Sequence, residues 1–401
     1  MRTLARFLIG TLLCTSAAFA QFETAEVLGT VHDASGAEVH GAAVTLTNEE
    51  TGVQRKTVSD DSGAYDFFDV QIGHYTITAE LTGFETFKTT NVRVDVNARQ
   101  RVDITLQVGA MTQSVEVQSA AEVLETDTSE HGQVVHTQQI VELPLNGRDY
   151  SDLALLATNV HRSPMAVLFS PTGTPREAAF NVNGMRSTYN DFLLDGLDNN
   201  AYSPSNQGYS SQVVQPSPDA IAEFKVITSN FSAEYGRVGG GVVNTALRAG
   251  TNAFRGTAYE FLRNTDLNAV GFFPSAQKPT LQRNQFGFTI GGPFIKNKLF
   301  FFADYEGYRQ LQRYLNFDSL PTGAERTGVL PVAVYDPLNH TVYPANTQIP
   351  VSALNPFAAQ VLGGLPSNTG SGVSNNYSSL LLIRDYSDKY DAKIDYHISD
   401  K

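Results

Sequence analysis

The stretch 284–308, NQFGFTIGGPFIKNKLFFFADYEGY, restricts the fold more than any other part of the chain. Phe286, Phe288 and Ile290 alternate with Gln285, Gly287 and Thr289. A period of two puts the apolar residues on one face of a strand. In the second arm, 299–308, Phe301, Ala303 and Tyr305 fall on one side and Asp304 and Glu306 on the other. Each arm is about ten residues, the length a tilted strand needs to cross a bilayer. The link 292–298 is short and carries turn residues and cations. Alternation is a weak signal in any one segment, so a soluble sandwich hairpin is the competing reading and the rest of the chain decides.

Two further alternations share this texture. Thr257, Tyr259 and Phe261 alternate with Ala258, Glu260 and Leu262, and Tyr390, Ala392, Ile394, Tyr396 and Ile398 alternate with Lys389, Asp391, Lys393, Asp395 and His397. The connections between these strands run long, short, long: 264–283, 293–298 and about 310–387. Outer-membrane barrels have short periplasmic turns and long outer loops, an order a soluble sandwich does not predict. The last loop, rich in Pro, Asn, Gly and Ser, is expected outside the cell and in contact with ligand. No run of 18 apolar residues occurs, so no transmembrane helix is expected beyond the N-terminus. The formal charge of −13 argues against a nucleic-acid partner.

Residues 1–20 read as a secretory signal: Arg2 and Arg6, an apolar core over 7–14, and Ala18-Phe19-Ala20 with cleavage after Ala20. The single cysteine, Cys14, lies inside it, and bulky Leu13 before it makes a poor lipoprotein site. The mature chain then carries 26 basic and 41 acidic residues, a charge of −15, and no disulfide.

Residues 24–109 hold short alternating runs, among them Val44 and Leu46, then Tyr75, Ile77, Ala79 and Leu81, then Val92, Val94 and Val96, then Val102, Ile104, Leu106 and Val108. Turn signals separate them at Ser35-Gly36, Thr51-Gly52, Asp61-Ser62-Gly63 and Gln71-Ile72-Gly73. This spacing predicts a β-sandwich of about seven strands. The pattern Gly29-x-Val31-x-Asp33, Gly41-Ala42-x-Val44-x-Leu46, Asp61-x-Gly63-x-Tyr65-x-Phe67 and Gly73-x-Tyr75 resembles the carboxypeptidase regulatory-like domain. The resemblance implies a domain without catalytic residues, related in fold alone to carbohydrate-binding sandwiches, and so a spacer. A linker follows over 110–130. Within it Ser114, Val115, Glu116, Val117 and Gln118 form a short extended run. Three readings fit it: a segment that meets an energy-coupling partner by strand addition, the last strand of the sandwich, or plain linker.

From 131 to 250 the texture changes. A turn over 143–148 precedes Tyr150, Leu153, Ala154 and Ala157 at helical spacing, with Ser151 and Asp152 near the start. Strands are expected at 180–184, 190–196 and 221–228. The order Ile221-x-Glu223-x-x-Val226, Ser232-x-x-Tyr235-Gly236 and Gly240-Gly241-Val242-Val243-Asn244 resembles the end of the plug domain of TonB-dependent receptors. Asn183-Gly184-x-Arg186 and Leu194-Asp195-Gly196-x-Asp198-Asn199 resemble the plug of the Oar-like branch, whose members carry the same N-terminal sandwich. Gly250-Thr251-Asn252-x-Phe254-x-Gly256 resembles that branch's passage into the barrel. Gly239, Gly240 and Gly241 are expected where a plug's backbone packs close to the barrel wall. Asn183, Arg186, Asp195, Asp198 and Asn199 are candidates to line the lumen, with turn formation or internal pairing the more economical role for each.

No G-x-S-x-G, phosphate loop or H-E-x-x-H occurs, the eight histidines show no metal-ligand spacing, and no nucleophile–base set accompanies the acid pair Asp195/Asp198. The expected fold is mainly β: a seven-stranded sandwich, an α+β plug over 131–250, and the first strands of an incomplete transmembrane β-barrel over 251–401. The resemblance implies an outer-membrane receptor that takes up a large or scarce solute, with no cofactor. Its partners would be outer-membrane lipid, the extracellular solute and a TonB-type inner-membrane complex. The alternative is an exported carbohydrate-binding sandwich protein of the cell surface or periplasm. Four strands cannot close around a plug, since plugged transporters use about 22, so the chain is expected to be the N-terminal piece of a longer receptor.

Overall fold

The β-branched and aromatic runs, punctuated by Asp, Gly and Ser, fold as strands in a computed structural model. It describes residues 25–109, 114–118, 126–163, 180–201, 212–236, 239–269, 278 and 280–398. The expected signal and its cleavage point at Ala20 lie outside the described residues.

The first strands are β1 (Ala25–Asp33), β2 (Ala43–Asn48), β3 (Gln54–Val58), β4 (Ala64–Val70), β5 (Gly73–Glu80), β6 (Thr86–Val94), β7 (Arg99–Arg101), β8 (Ile104–Leu106) and β9 (Ser114–Gln118). One sheet has the order β4-β1-β7, with β8 also on β1; the other has the order β3-β2-β5-β6-β9. Val27, Val31, Val44, Ile77, Ile104 and Leu106, all at 0% exposure, form the core between them. The strand count exceeds the expected seven for two reasons. β7 and β8 are one run, broken at Val102–Asp103, that lies parallel to β1. β9 comes from the linker and pairs parallel to β6.

The break explains Gly29. Val102 donates to the Leu28 carbonyl at 2.8 Å, and its own carbonyl sits where a Cβ on Gly29 would be. Asp103 then caps the break, accepting the Thr30 amide at 3.0 Å and hydroxyl at 2.9 Å. Two matched turns lie on the β1–β2 and β3–β4 connections, each of which crosses from one sheet to the other. Asp33 Oδ1 accepts the amides of Ser35 and Ala37 at 2.8 and 2.9 Å, and Asp60 Oδ1 those of Ser62 and Ala64 at 2.8 and 2.9 Å. Hydrogen bonds from the two serines and these amides hold both carboxyls below the usual range. The acid of the second turn is Asp60; Asp61, the residue the spacing singled out, is exposed.

The plug contains β10 (His131–His136), α1 (Thr137–Glu142), a 3-10 helix (Tyr150–Leu156), β11 (Val160–Arg162), β12 (Phe180–Val182), β13 (Asp191–Leu194), β14 (Leu197–Asp198), β15 (Ile221–Ser229) and β16 (Val242–Leu247). The helix expected at 150–157 is thus a tighter 3-10 helix, capped by Asp149, whose Oδ1 accepts the Ser151 amide at 3.0 Å. The main sheet has the order β10-β15-β16-β13-β14, with β13 parallel to β16. Ile140, Tyr150, Phe192, Phe224 and Val226 pack its core.

The remaining strands are β17 (Arg255–Asn264), β18 (Leu281–Ile295), β19 (Leu299–Asp318), β20 (Val334–Asp336), β21 (Thr341–Tyr343) and β22 (Tyr377–Tyr396), with short helices α2 (Gly323–Arg326) and α3 (Pro356–Gly364). One sheet runs β17-β18-β19-β22. β19 and β22 reach 20 residues each, about twice the length the hydrophobic pattern predicted. Pairing continues past the apolar stretch because backbone hydrogen bonds, not side-chain polarity, sustain a ladder. By backbone contacts the chain forms two compact units. Met1–Tyr259, Phe286–Gly307 and Asp388–Lys401 make one, and Glu260–Gln285 with Tyr308–Ser387 the other. In the second unit the long loop is pinned by buried Asn376, which accepts the Leu320 amide and donates to the Leu320 and Gly372 carbonyls at 2.8–2.9 Å.

The faces follow the alternation. Gln285, Thr289, Asp304 and Glu306 are buried, while Phe288, Ile290, Tyr390 and Ile394 are exposed on the opposite row. On that row Tyr305 stacks with Phe286, Phe288 and Tyr390 at 6.2, 6.0 and 5.1 Å between ring centroids.

Two predictions follow from this packing. Phe288→Lys or Ile394→Lys in the full-length protein should cost roughly 2–4 kcal/mol near the bilayer midplane. The assembled, heat-modifiable species on gels should fall for these variants and fall less for Gln285→Lys on the inward row; equal behaviour would refute the face assignment. In the sandwich, burial and then a hydrogen bond shared with Glu26 push Asp66 up to about 7. A carboxyl raised in the folded state costs nothing below its unfolded value, and the cost grows as pH climbs towards the folded one. Asp66→Asn should therefore raise the urea midpoint of the isolated sandwich at pH 7 and leave it nearly unchanged at pH 4. An equal effect at both would remove Asp66 as the cause.

Candidate functional site

Asn146-Gly147 turns the chain into the plug's 3-10 helix, with Gly147 and Arg148 in the left-handed region at φ 100° and 57°. That turn aims Arg148 at the inward row of strands. Arg148 Nε donates to Glu306 Oε2 at 3.0 Å, and its Nη2 pairs with Asp219. Its guanidinium carbon lies 4.4 Å from the centre of the Tyr259 ring. Glu306 meets two more groups: Lys389 Nζ at 3.4 Å and the Tyr259 hydroxyl at 3.3 Å. Glu306 is 1% exposed, so this is a buried, charge-balanced set drawn from the plug (Arg148, Asp219) and from β17, β19 and β22 (Tyr259, Glu306, Lys389).

A second ion pair repeats the chemistry four residues along β22. Lys393 Nζ lies 3.2 Å from Asp195 Oδ2, while Asp195 Oδ1 accepts the Leu247 amide at 2.7 Å. At the end of the plug, Gly250 runs directly over the strands: a Cβ there would meet the Phe301 carbonyl and lie 2.8 Å from that of Gly292. The set has charges and hydrogen-bond donors but no activated nucleophile. What it does is hold one body against another through contacts that water can replace.

A module plugging a sheet that is apolar outside and charged inside is matched by the family comparisons. The carboxypeptidase regulatory-like domain matches residues 26–107, the TonB-dependent receptor plug domain 124–243, and the outer membrane beta barrel domain 246–401. The chain belongs to the TonB-dependent receptors. It lies in the outer membrane. The receptor is 27% identical over 310 residues to the TonB-dependent transporter Oar of Myxococcus xanthus; the match covers 73% of this chain and 27% of that protein. It thus spans about a quarter of the length of that relative. Among solved structures, the outer membrane transporter YddB from Escherichia coli overlays with a TM-score of 0.37 at 16% identity, covering 47% of this chain and 27% of that one. The siderophore receptor PirA from Acinetobacter baumannii overlays with a TM-score of 0.34 at 20% identity, covering 50% and 27%.

Of the five polar residues picked out in the receptor's plug, Asp195 pairs with a barrel strand, through Lys393. Asn183 sits in a turn at φ 51° and donates to the Thr228 carbonyl at 2.6 Å. Asp198 accepts the Asn200 amide at 2.9 Å, and buried Asn199 exchanges two 2.8 Å bonds with Val214. Arg186 is exposed at the start of a 3-10 turn. The glycine run behaves differently from expectation. Gly240 and Gly241 pack against Asn190, Val182 and Ile227 of the plug itself, and Gly250 is the glycine pressed against the strands.

His136 also has company that spacing concealed. It comes together with Asp95 and Glu223, their ligand atoms all within 4.8 Å. Arg93 already pairs with both carboxylates of that cluster, with Nε 2.6 Å from Asp95 Oδ1 and Nη2 3.5 Å from Glu223 Oε2. Arg148 was missed because Asn-Gly-Arg reads as a turn. The available signal was Asp304 and Glu306, two acids on the buried face of an apolar hairpin, which require a cation from elsewhere in the chain.

Arg148→Met would strand Asp219 and Glu306 in a buried site, at roughly 3–5 kcal/mol. In the full-length receptor the urea concentration at which the plug becomes protease-sensitive should fall, and the further change Asp219→Asn should recover part of the loss. An unchanged midpoint would show that the cluster does not hold the plug.

Proposed function

We propose that the receptor takes up a large or scarce extracellular solute, with energy supplied by a TonB-type inner-membrane complex. The observation that carries this is the Arg148–Asp219–Glu306 set: buried charges join the plug to the strands. Such contacts hold while dry and are replaced by hydration when pulled apart, which suits a plug that must move. The division into residues 1–20 as export signal, 24–109 as sandwich in the periplasm, 110–130 as linker, 131–250 as plug and 251–401 as barrel start belongs to the same reading.

Ser114–Gln118 is the proposed contact for the coupling partner. It is already extended and ends its sheet, paired on one side to β6 among the described residues. An edge of this kind offers free backbone groups for strand addition.

The test is uptake in the native host. A deletion strain is screened with oligosaccharides, metal chelates and peptides. The expected result is loss of one uptake activity, restored by the full-length gene, abolished by a protonophore, and not restored by a version lacking 114–118 that still reaches the outer membrane. Uptake that persists with the protonophore would refute energy coupling.

A further inference from the structure

The sandwich touches both partners that transport must separate. On the plug, Glu223 and Lys225 alternate with core residues Phe224 and Val226, so both point out of the sheet towards the sandwich. Glu223 accepts the Val96 amide and pairs with Arg93, and Lys225 Nζ donates to the Asn97 carbonyl at 3.1 Å. Covered in this way they are 5% and 3% exposed. On the barrel start, the β2–β3 turn meets the residues leading into β17. The Asn252 amide donates to the Glu50 carbonyl at 3.1 Å, Asn252 Nδ2 donates to the Thr51 carbonyl at 2.6 Å, and Arg255 pairs with Glu50 at 2.7 Å. Asn252 is bonded in turn to Asn297 in the β18–β19 turn, whose amide donates to it at 2.8 Å. A cavity of about 500 Å³, lined by Arg93, Glu223, Arg248 and Arg255 among others, lies between the two contacts.

The contacts named are hydrogen bonds and ion pairs. A permanent interface buries apolar surface, whereas ions covered by a partner regain hydration when it leaves, so the separated state is accessible. We propose that the N-terminal sandwich is a reversible latch: docked, it grips plug strand β15 and the foot of β17–β19 together, and the plug moves only after it undocks. This rests on the transport reading above and assigns the sandwich more than a spacer's role.

The test uses the full-length receptor purified in detergent. Residues 21–401 carry no cysteine; Cys14 and any cysteine elsewhere in the full-length receptor are replaced by serine first, so that the introduced pairs are read without background. Glu50→Cys with Asn252→Cys joins sandwich to barrel start, where a backbone hydrogen bond already brings the two segments within disulfide reach. Thr45→Cys with Lys56→Cys, opposite each other on β2 and β3, is the reference pair. The expected result is that both pairs close under mild oxidation. Closing the first should raise the urea concentration at which the plug becomes protease-sensitive, relative to the same protein reduced; closing the reference pair should not. Failure of the first pair to close while the reference closes overturns docking. Closure without a shift overturns the latch, because the sandwich would then sit there without restraining the plug. Comparing oxidised and reduced forms of one protein removes folding defects from the reading. Neither measurement draws on cellular energy, so if uptake proves independent of TonB the crosslinking and urea results keep their meaning.

Discussion

A charge taken out of water must be neutralised where it lies, and that requirement joins the plug to the strands. Glu306 is fully buried on the inward row of β19. Alone it would cost several kcal/mol or take up a proton. Arg148 and Lys389 meet it, Asp219 balances Arg148, and the ring of Tyr259 covers the guanidinium. Each element supplies a member that the others need, so the plug's position, the tilt of the Asn146-Gly147 turn and the register of β17, β19 and β22 depend on one another.

The same chemistry fits the plug movement that the proposed transport requires. Breaking a buried ion pair by removing a partner leaves a stranded charge, but drawing the two bodies apart into water restores hydration to both. Asp195–Lys393 follows that rule at a second point, and Glu223, Lys225 and Arg93 follow it at the sandwich. Each body has an apolar core of its own: Val27, Ile77 and Ile104 in the sandwich, Phe192, Phe224 and Val226 in the plug. The molecule packs apolar cores within its modules and places ion pairs between them.

Strand faces and module order were legible in the sequence because both are local. A period of two assigns Phe288 and Ile394 to one row and Thr289 and Glu306 to the other without knowledge of any partner. Turn chemistry marks the ends of the sandwich strands, although it pointed to Asp61 where Asp60 accepts the amides. Strand length was underestimated because backbone pairing outlasts the apolar pattern in β19 and β22. The strand count shifted because Val102 interrupts one run and the linker supplies β9.

By itself, then, the sequence determined the faces of the strands, the order of sandwich, plug and barrel start, and the polar residues that had to be satisfied, since each of these follows from periodicity, composition and turn residues along the chain. The tertiary structure alone decided the partners. Arg148 and Glu306 are 158 residues apart, Val96 and Glu223 are 127 apart, and Asn252 and Thr51 are 201 apart. No local preference links such positions; they meet because three folded bodies bring complementary charges and backbone groups to one place, and only the packing of those bodies selects which cation answers which acid.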